Sequence, residues 1–163
     1  GLMHPLALDP GSYPLLQWRW KVDELISKAD NAQKHLEDAP ARLVVSFDGD
    51  MEKLTPQDRM LFDNVRLLTG QQMPYATLMY VWDNRTDVES LVHNKRSDRI
   101  RKIVLESGAA HLGEWRHYER DVRADYRRAF GEDPGALVGV AIMTDSDNTQ
   151  SQAEAWYGEI TFQ

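Results

Sequence analysis

Asp145-Ser-Asp-Asn148 follows directly on an apolar run, residues 137–144, and is the stretch best supplied with groups that could do chemistry. In an extended backbone alternate side chains share a side, so Asp145 and Asp147 point their carboxylates the same way, with the Asn148 amide beside them. Oxygen donors of this kind suit a hard cation, and calcium is the natural candidate. The EF-hand loop is excluded: counting from Asp145, the sixth position is Gln150 rather than glycine and the twelfth is Trp156 rather than glutamate. The same residues have the composition of an Asx turn, in which short polar side chains cap their own backbone. Both readings stand on the sequence.

Trp18, Trp20 and Trp82 are candidate stacking platforms for a ligand, with Arg120 and Asp145 as candidate polar contacts. Trp18 and Trp20 share a strand face with Leu16 and Val22, which is also the pattern of two indoles packed in a core. Arg120 could hold a carboxylate or sulfate bidentately. It also precedes Asp121, a natural helix N-cap, and could simply pair with an acidic neighbour. Carboxylate pairs drawn from Asp48, Asp50, Asp145 and Asp147 would suit glycoside hydrolysis, which needs one raised and one ordinary pKa at a fixed separation. With 26 acidic residues in the chain, such pairs arise by chance, and no residue is assigned a catalytic role. The five histidines form no HxH, HExxH or Ser/His/Asp pattern, and no phosphate loop or dinucleotide fingerprint is present.

The elements that must position these residues are mostly strands. Residues 15–22 alternate cleanly, with Leu16, Trp18, Trp20 and Val22 on one face and Gln17, Arg19 and Lys21 on the other. Residues 42–48 form a strand with Leu43, Val45 and Phe47 inward. Residues 75–82 are apolar on both faces and so central, and residues 99–106 are a further strand. Residues 113–119 alternate through Trp115 and His117, or through Arg116 and Tyr118. Residues 137–144 are a buried strand, and residues 155–162 close the chain as one more. Residues 2–14, rich in proline, read as an edge segment or arm, while residues 23–41 and 83–97 read as connections.

Two helices interrupt this pattern. Thr55 as N-cap, Pro56 at the first helical position and Gly70 at C′ bound the first, with Leu61, Val65 and Leu68 as its packing stripe. The second carries Val122, Tyr126 and Ala129 or Phe130 at helical spacing and ends at Gly131. Strands that outnumber helices this heavily predict an all-β fold, a jelly-roll-like antiparallel β-sandwich with two short helices, forming a single domain over residues 1–163.

Composition narrows the function. The balance of 19 basic and 26 acidic residues, a net charge of −7, argues against general nucleic-acid binding. Absence of cysteine excludes disulfides, thiolate metal sites and cysteine nucleophiles. No apolar run is long enough to span a bilayer, and the chain shows no signal peptide.

The segments Pro14-Leu-Leu-Gln-Trp-Arg-Trp-Lys-Val22, Val44-Val-Ser-Phe-Asp48, Gly113-Glu-Trp-Arg-His-Tyr-Glu-Arg-Asp-Val122, Ile142-Met-Thr-Asp-Ser-Asp-Asn-Thr149 and Ala155-Trp-Tyr-Gly-Glu-Ile-Thr-Phe162 together resemble the family called domain of unknown function 3047. The resemblance implies a bacterial, exported protein, periplasmic or secreted, with no assigned activity. Family members carry further residues ahead of the segment matching residues 2–8, which leaves a first strand that is missing, cut away or simply different as the open alternatives. More distantly, Gly-Glu-Trp followed by Arg-Asp-Val is similar to the galactose-binding-like jelly rolls. That likeness implies carbohydrate on a concave sheet face and a structural calcium at one edge. The expectation is therefore a non-catalytic domain of the bacterial envelope that binds carbohydrate or another small ligand. The alternatives are an enzyme acting on polysaccharide through paired carboxylates and a structural domain that binds a partner protein.

Overall fold

A computed structural model describes residues 2–25, 39–145 and 154–163. The described residues form two sheets, two α-helices and one short 3-10 turn at Met51–Lys53. In order, β1 is Leu2–Leu8, β2 Leu15–Val22, β3 Ala39–Phe47, α1 Pro56–Thr69, β4 Ala76–Asp83, β5 Leu91–His93 and β6 Ile100–Ser107. They are followed by β7 at Arg116–Asp121, α2 at Val122–Phe130, β8 at Leu137–Asp145, β9 at Ala155–Tyr157 and β10 at Thr161–Phe162. The larger sheet runs β1-β8-β3-β4-β6-β5. The smaller places β2 at its centre, with β7 on one side and β10 and β9 on the other.

The period of two in β2 dictates the packing. Its inward set, Leu16, Trp18, Trp20 and Val22, is buried and meets Leu43, Val45 and Phe47 of β3 and Leu78, Tyr80 and Trp82 of β4 in one core. Aromatic rings carry much of this contact: Trp18 stands edge-on to Trp20 at 5.7 Å and lies 5.1 Å from Tyr80, and Trp20 lies 6.3 Å from Trp82. Large rings buried in such tilted or edge-to-face pairs add roughly 0.5–1.5 kcal/mol each beyond the burial itself. Tyr157 ties the two sheets at their edge: its hydroxyl accepts from the Arg42 backbone N–H at 3.1 Å and donates to the Met143 carbonyl at 2.8 Å.

The helix boundaries follow their capping chemistry. Thr55 Oγ1 accepts the Asp58 N–H at 3.1 Å, and Gly70 adopts φ 73° with its N–H on the Arg66 carbonyl. Asp121 caps α2 in the same way, through the Ala124 N–H at 2.9 Å. The expected stripe on α1 is only half used. Asp58 and Phe62 are the buried residues of α1, while Leu67 and Leu68 stand 81% and 87% exposed.

The β-sandwich reading holds, with three local departures. Residues 2–8 form an edge strand on β8, the first of the two readings of that segment. β4 and β6 pair in parallel, whereas every other ladder is antiparallel among the described residues. The stretch expected to be a loop between them contains β5, which pairs with the far side of β6. The closing strand splits into β9 and β10 around Gly158. No helix of the described residues is long and apolar enough to cross a membrane.

Candidate ligand-binding face of the small sheet

Burying Trp18 and Trp20 inward sends Gln17, Arg19 and Lys21 outward, and the partner strands extend this outer face in register. Glu119 and Thr161 flank Gln17, His117 flanks Arg19, and Trp156 flanks Lys21. Trp115, one residue ahead of β7, completes the row on the other side of Lys21. The result is an open groove of about 760 Å³ over the sheet, lined by Gln17, Trp18, Arg19, His117, Tyr118, Glu119, Glu159, Thr161 and Gln163. Trp115 and Trp156, 39% and 38% exposed, lie outside this lining, Trp115 beside Arg19 and both beside Lys21.

Polar contacts divide the face. At one end Gln17 donates to Glu119 and accepts from the Gln163 amide at 3.3 Å, so these groups satisfy one another. At the other end the Arg19 guanidinium lies 4.7 Å from the Trp115 ring centre, and the Lys21 ammonium lies 5.7 Å from Trp115 and 4.7 Å from Trp156. Arg19 crosses directly over Gly158. A Cβ there would meet Arg19 Nε at 2.2 Å and Cγ at 2.3 Å, which is why glycine breaks the closing strand at this point. The Gly158 N–H still bonds the Arg19 carbonyl at 2.8 Å and holds the turn against β2.

The inner face of β7 is the less expected side. Arg116, Tyr118 and Arg120 point inward, while His117, Glu119 and Asp121 are exposed. Buried carboxylates make this possible. Glu106, 5% exposed, accepts from Arg116 Nε at 2.7 Å and from the Tyr118 hydroxyl. Burial, then the Glu106 carboxylate, pushes the Tyr118 hydroxyl well above the ordinary tyrosine range.

Arg120 grips Asp125 through Nε and Nη2, both at 2.9 Å, and reaches Glu89 at 2.6 and 3.2 Å. Asp125 also accepts the Tyr80 hydroxyl at 2.7 Å. Burial works against the Arg120 charge, but the hydrogen bonds to Asp125 and Glu89 outweigh it and raise the pKa. With its fork filled by two protein carboxylates, Arg120 has the role of an interior ion pair and not of a ligand clamp.

The remaining candidates fall in different places. Trp18, Trp20 and Trp82 are buried at 3%, 0% and 0%, and of the three only Trp18 reaches the lining of the groove, with almost all of its ring covered. Their size and apolar character place them between the sheets, and the stacking role expected of them is not available there. Asp145 ends β8, its Cα paired with that of Ala39. Asp147 and Asn148 lie outside the described residues, so the calcium reading of that loop is not addressed. Among the described residues no group of three or more His, Asp or Glu side chains is arranged to hold a metal ion.

Asp48 and Asp50 do line a cleft, together with Glu132, Asp133, Tyr75 and Tyr126. Each carboxylate is already engaged. Asp48 accepts the Gly49 N–H, Asp50 the Glu52 N–H, Glu132 the Arg99 guanidinium at 2.9 Å, and Asp133 pairs with Arg127. Sequence reasoning missed Trp115 and Trp156 as accessible indoles. The available signal was the outward register of Gln17, Arg19 and Lys21, which carries the neighbouring strands' residues outward with it.

Fold and site together define a two-sheet β protein whose smaller sheet leaves one polar, tryptophan-edged face open. The family model described as Protein of unknown function (DUF3047) matches residues 1–161, and the chain belongs to that family. Neither the search of curated proteins nor that of solved structures found a match.

Proposed function

We propose that this chain is a non-catalytic carbohydrate-binding domain of the bacterial envelope, with its binding face on the outer side of the small sheet. The observation that carries the reading is the row Trp115–Lys21–Trp156, two accessible indoles beside Arg19, which itself lines an open groove of about 760 Å³. Sugar rings have apolar C–H faces that stack on indole, and hydroxyl edges that need amide, carboxylate and guanidinium partners. Gln17, Arg19, Glu119 and Gln163 supply such partners along the groove. Burial of the other three indoles supports a binding role resting on Trp115 and Trp156 alone. The envelope location rests on the exported character that the family resemblance implies.

The test is calorimetric titration of the full chain with a panel of neutral and acidic oligosaccharides, repeated on Trp115→Ala and Trp156→Ala. Binding by at least one glycan, lost or strongly weakened in both variants at unchanged melting temperature, is the expected result. Absence of heat across the whole panel, or binding untouched by either substitution, overturns the reading.

A further inference from the structure

Resting on that reading, we propose that the glycan is anionic: a carboxylate-bearing, uronate-type saccharide whose negative group is held by Arg19 and Lys21 between Trp115 and Trp156. The two cations lie close enough to share one indole, at 4.7 and 5.7 Å from the Trp115 ring centre. Neither has a carboxylate partner or a hydrogen bond of its side chain to any described residue, in a chain of net charge −7. Several arginines elsewhere are paired with carboxylates. Arg99 takes Glu132, Arg116 takes Glu106, Arg120 takes Asp125 and Glu89, and Arg127 takes Asp133. Among the described residues only cation–π stacking holds the Arg19 and Lys21 head groups, and such exposed contacts are weak.

That arrangement leaves donors free. The five N–H groups of a guanidinium form a fork that matches a carboxylate, and an ammonium adds a point charge beside it. Positions are also fixed beforehand, because Arg19 is laid over Gly158 and flanked by Trp115. Lys21 stands between the indoles, so their ring centres are no farther apart than the sum of its 5.7 and 4.7 Å distances. Two rings of an extended saccharide can stack on that pair while the carboxylate of one turns down to the cations. Of the acidic groups that line the groove, Glu119 is occupied by Gln17, and Glu159 follows Gly158 in the turn beside Arg19.

The experiment compares oligogalacturonate, oligoglucuronate and oligomannuronate with their methyl-esterified counterparts, which keep the sugar and remove the charge. Titration calorimetry of the full chain should show at least one free acid binding ten-fold or more tightly than its ester, with the difference shrinking as salt rises. Arg19→Gln and Lys21→Gln should bring acid and ester to the same affinity, whereas Trp115→Ala should weaken both. Equal binding of acid and ester, or binding of neutral glycans only, overturns the anionic assignment and leaves the carbohydrate reading in place. No binding by any member overturns the anionic assignment, and silence across the wider panel of neutral and acidic oligosaccharides overturns the carbohydrate reading as well. An acid preference that survives both Gln variants overturns the assignment to Arg19 and Lys21.

Discussion

Arg120 holds Asp125 through two parallel hydrogen bonds of 2.9 Å, with side chains 19% and 11% exposed. This pair is what lets β7 turn arginine inward and leave its other face to the groove. Asp125→Ala would leave the Tyr80 hydroxyl unpaired and the half-buried Arg120 guanidinium with Glu89 alone. The expected loss is about 3–5 kcal/mol, the range for breaking a buried pair from one side. Glu89, 52% exposed, lies at the rim of the same cluster, and Glu89→Gln should cost less than about 1 kcal/mol. Denaturant unfolding of the two variants measures the contrast.

Two glycines make opposite predictions. A Cβ on Gly135 would sit 2.2 Å from the Asp48 carbonyl oxygen, a backbone atom that cannot step aside, so Gly135→Ala should destabilise by about 3 kcal/mol. Gly158→Ala displaces the exposed Arg19 side chain instead, and its cost should stay near 1 kcal/mol. Glycan affinity should fall in this second variant, because Arg19 is pushed from Trp115. Thermal melts and titrations on both proteins separate the outcomes.

Helix α1 offers a contrast between one side chain and its neighbours. Phe62 is 2% exposed, and Phe62→Ala should cost about 3–5 kcal/mol. Leu67→Glu and Leu68→Lys, at positions more than four-fifths exposed, should change stability by no more than about 0.5 kcal/mol. Equilibrium unfolding in urea reads all three.

Alkali should unfold the protein through its tyrosines. Burial raises the hydroxyls of Tyr80, Tyr118, Tyr126 and Tyr157 above the ordinary value of 10.0. A raised folded pKa means that the folded state keeps protons the unfolded state has released. The associated stability is whole below pH 10 and is lost as pH climbs from there toward the folded values. Melting temperature should therefore fall steeply above pH 10, together with a cooperative rise in tyrosinate absorbance. A melting temperature that stays flat to pH 11 would count against the burial of these hydroxyls.

Local chemistry made some of this legible in the sequence. Thr55, Pro56 and Gly70 mark the limits of α1 because capping depends on residues a few positions apart. The alternation of β2 likewise fixes which side carries Trp18 and Trp20. β7 was different. Its two faces hold comparable polarity, and only the distant carboxylates of Glu106, Glu89 and Asp125 decide that Arg116, Tyr118 and Arg120 turn inward. The break at Gly158 was equally hidden, since its cause is a side chain from β2. Trp115 and Trp156 were thus passed over as ligand platforms in favour of indoles that the core had already taken.

β2 sits between strands encoded far from it: Gln17 and Glu119 are 102 positions apart, and Thr161 lies beyond them all. Such remote pairings carry a large loop-closure cost that must be met before their hydrogen bonds form, so they assemble late. The nascent chain consequently lacks the outer face of the small sheet until β10 has been made. A ribosome-bound or prematurely ended product could build much of the larger sheet and still lack that face.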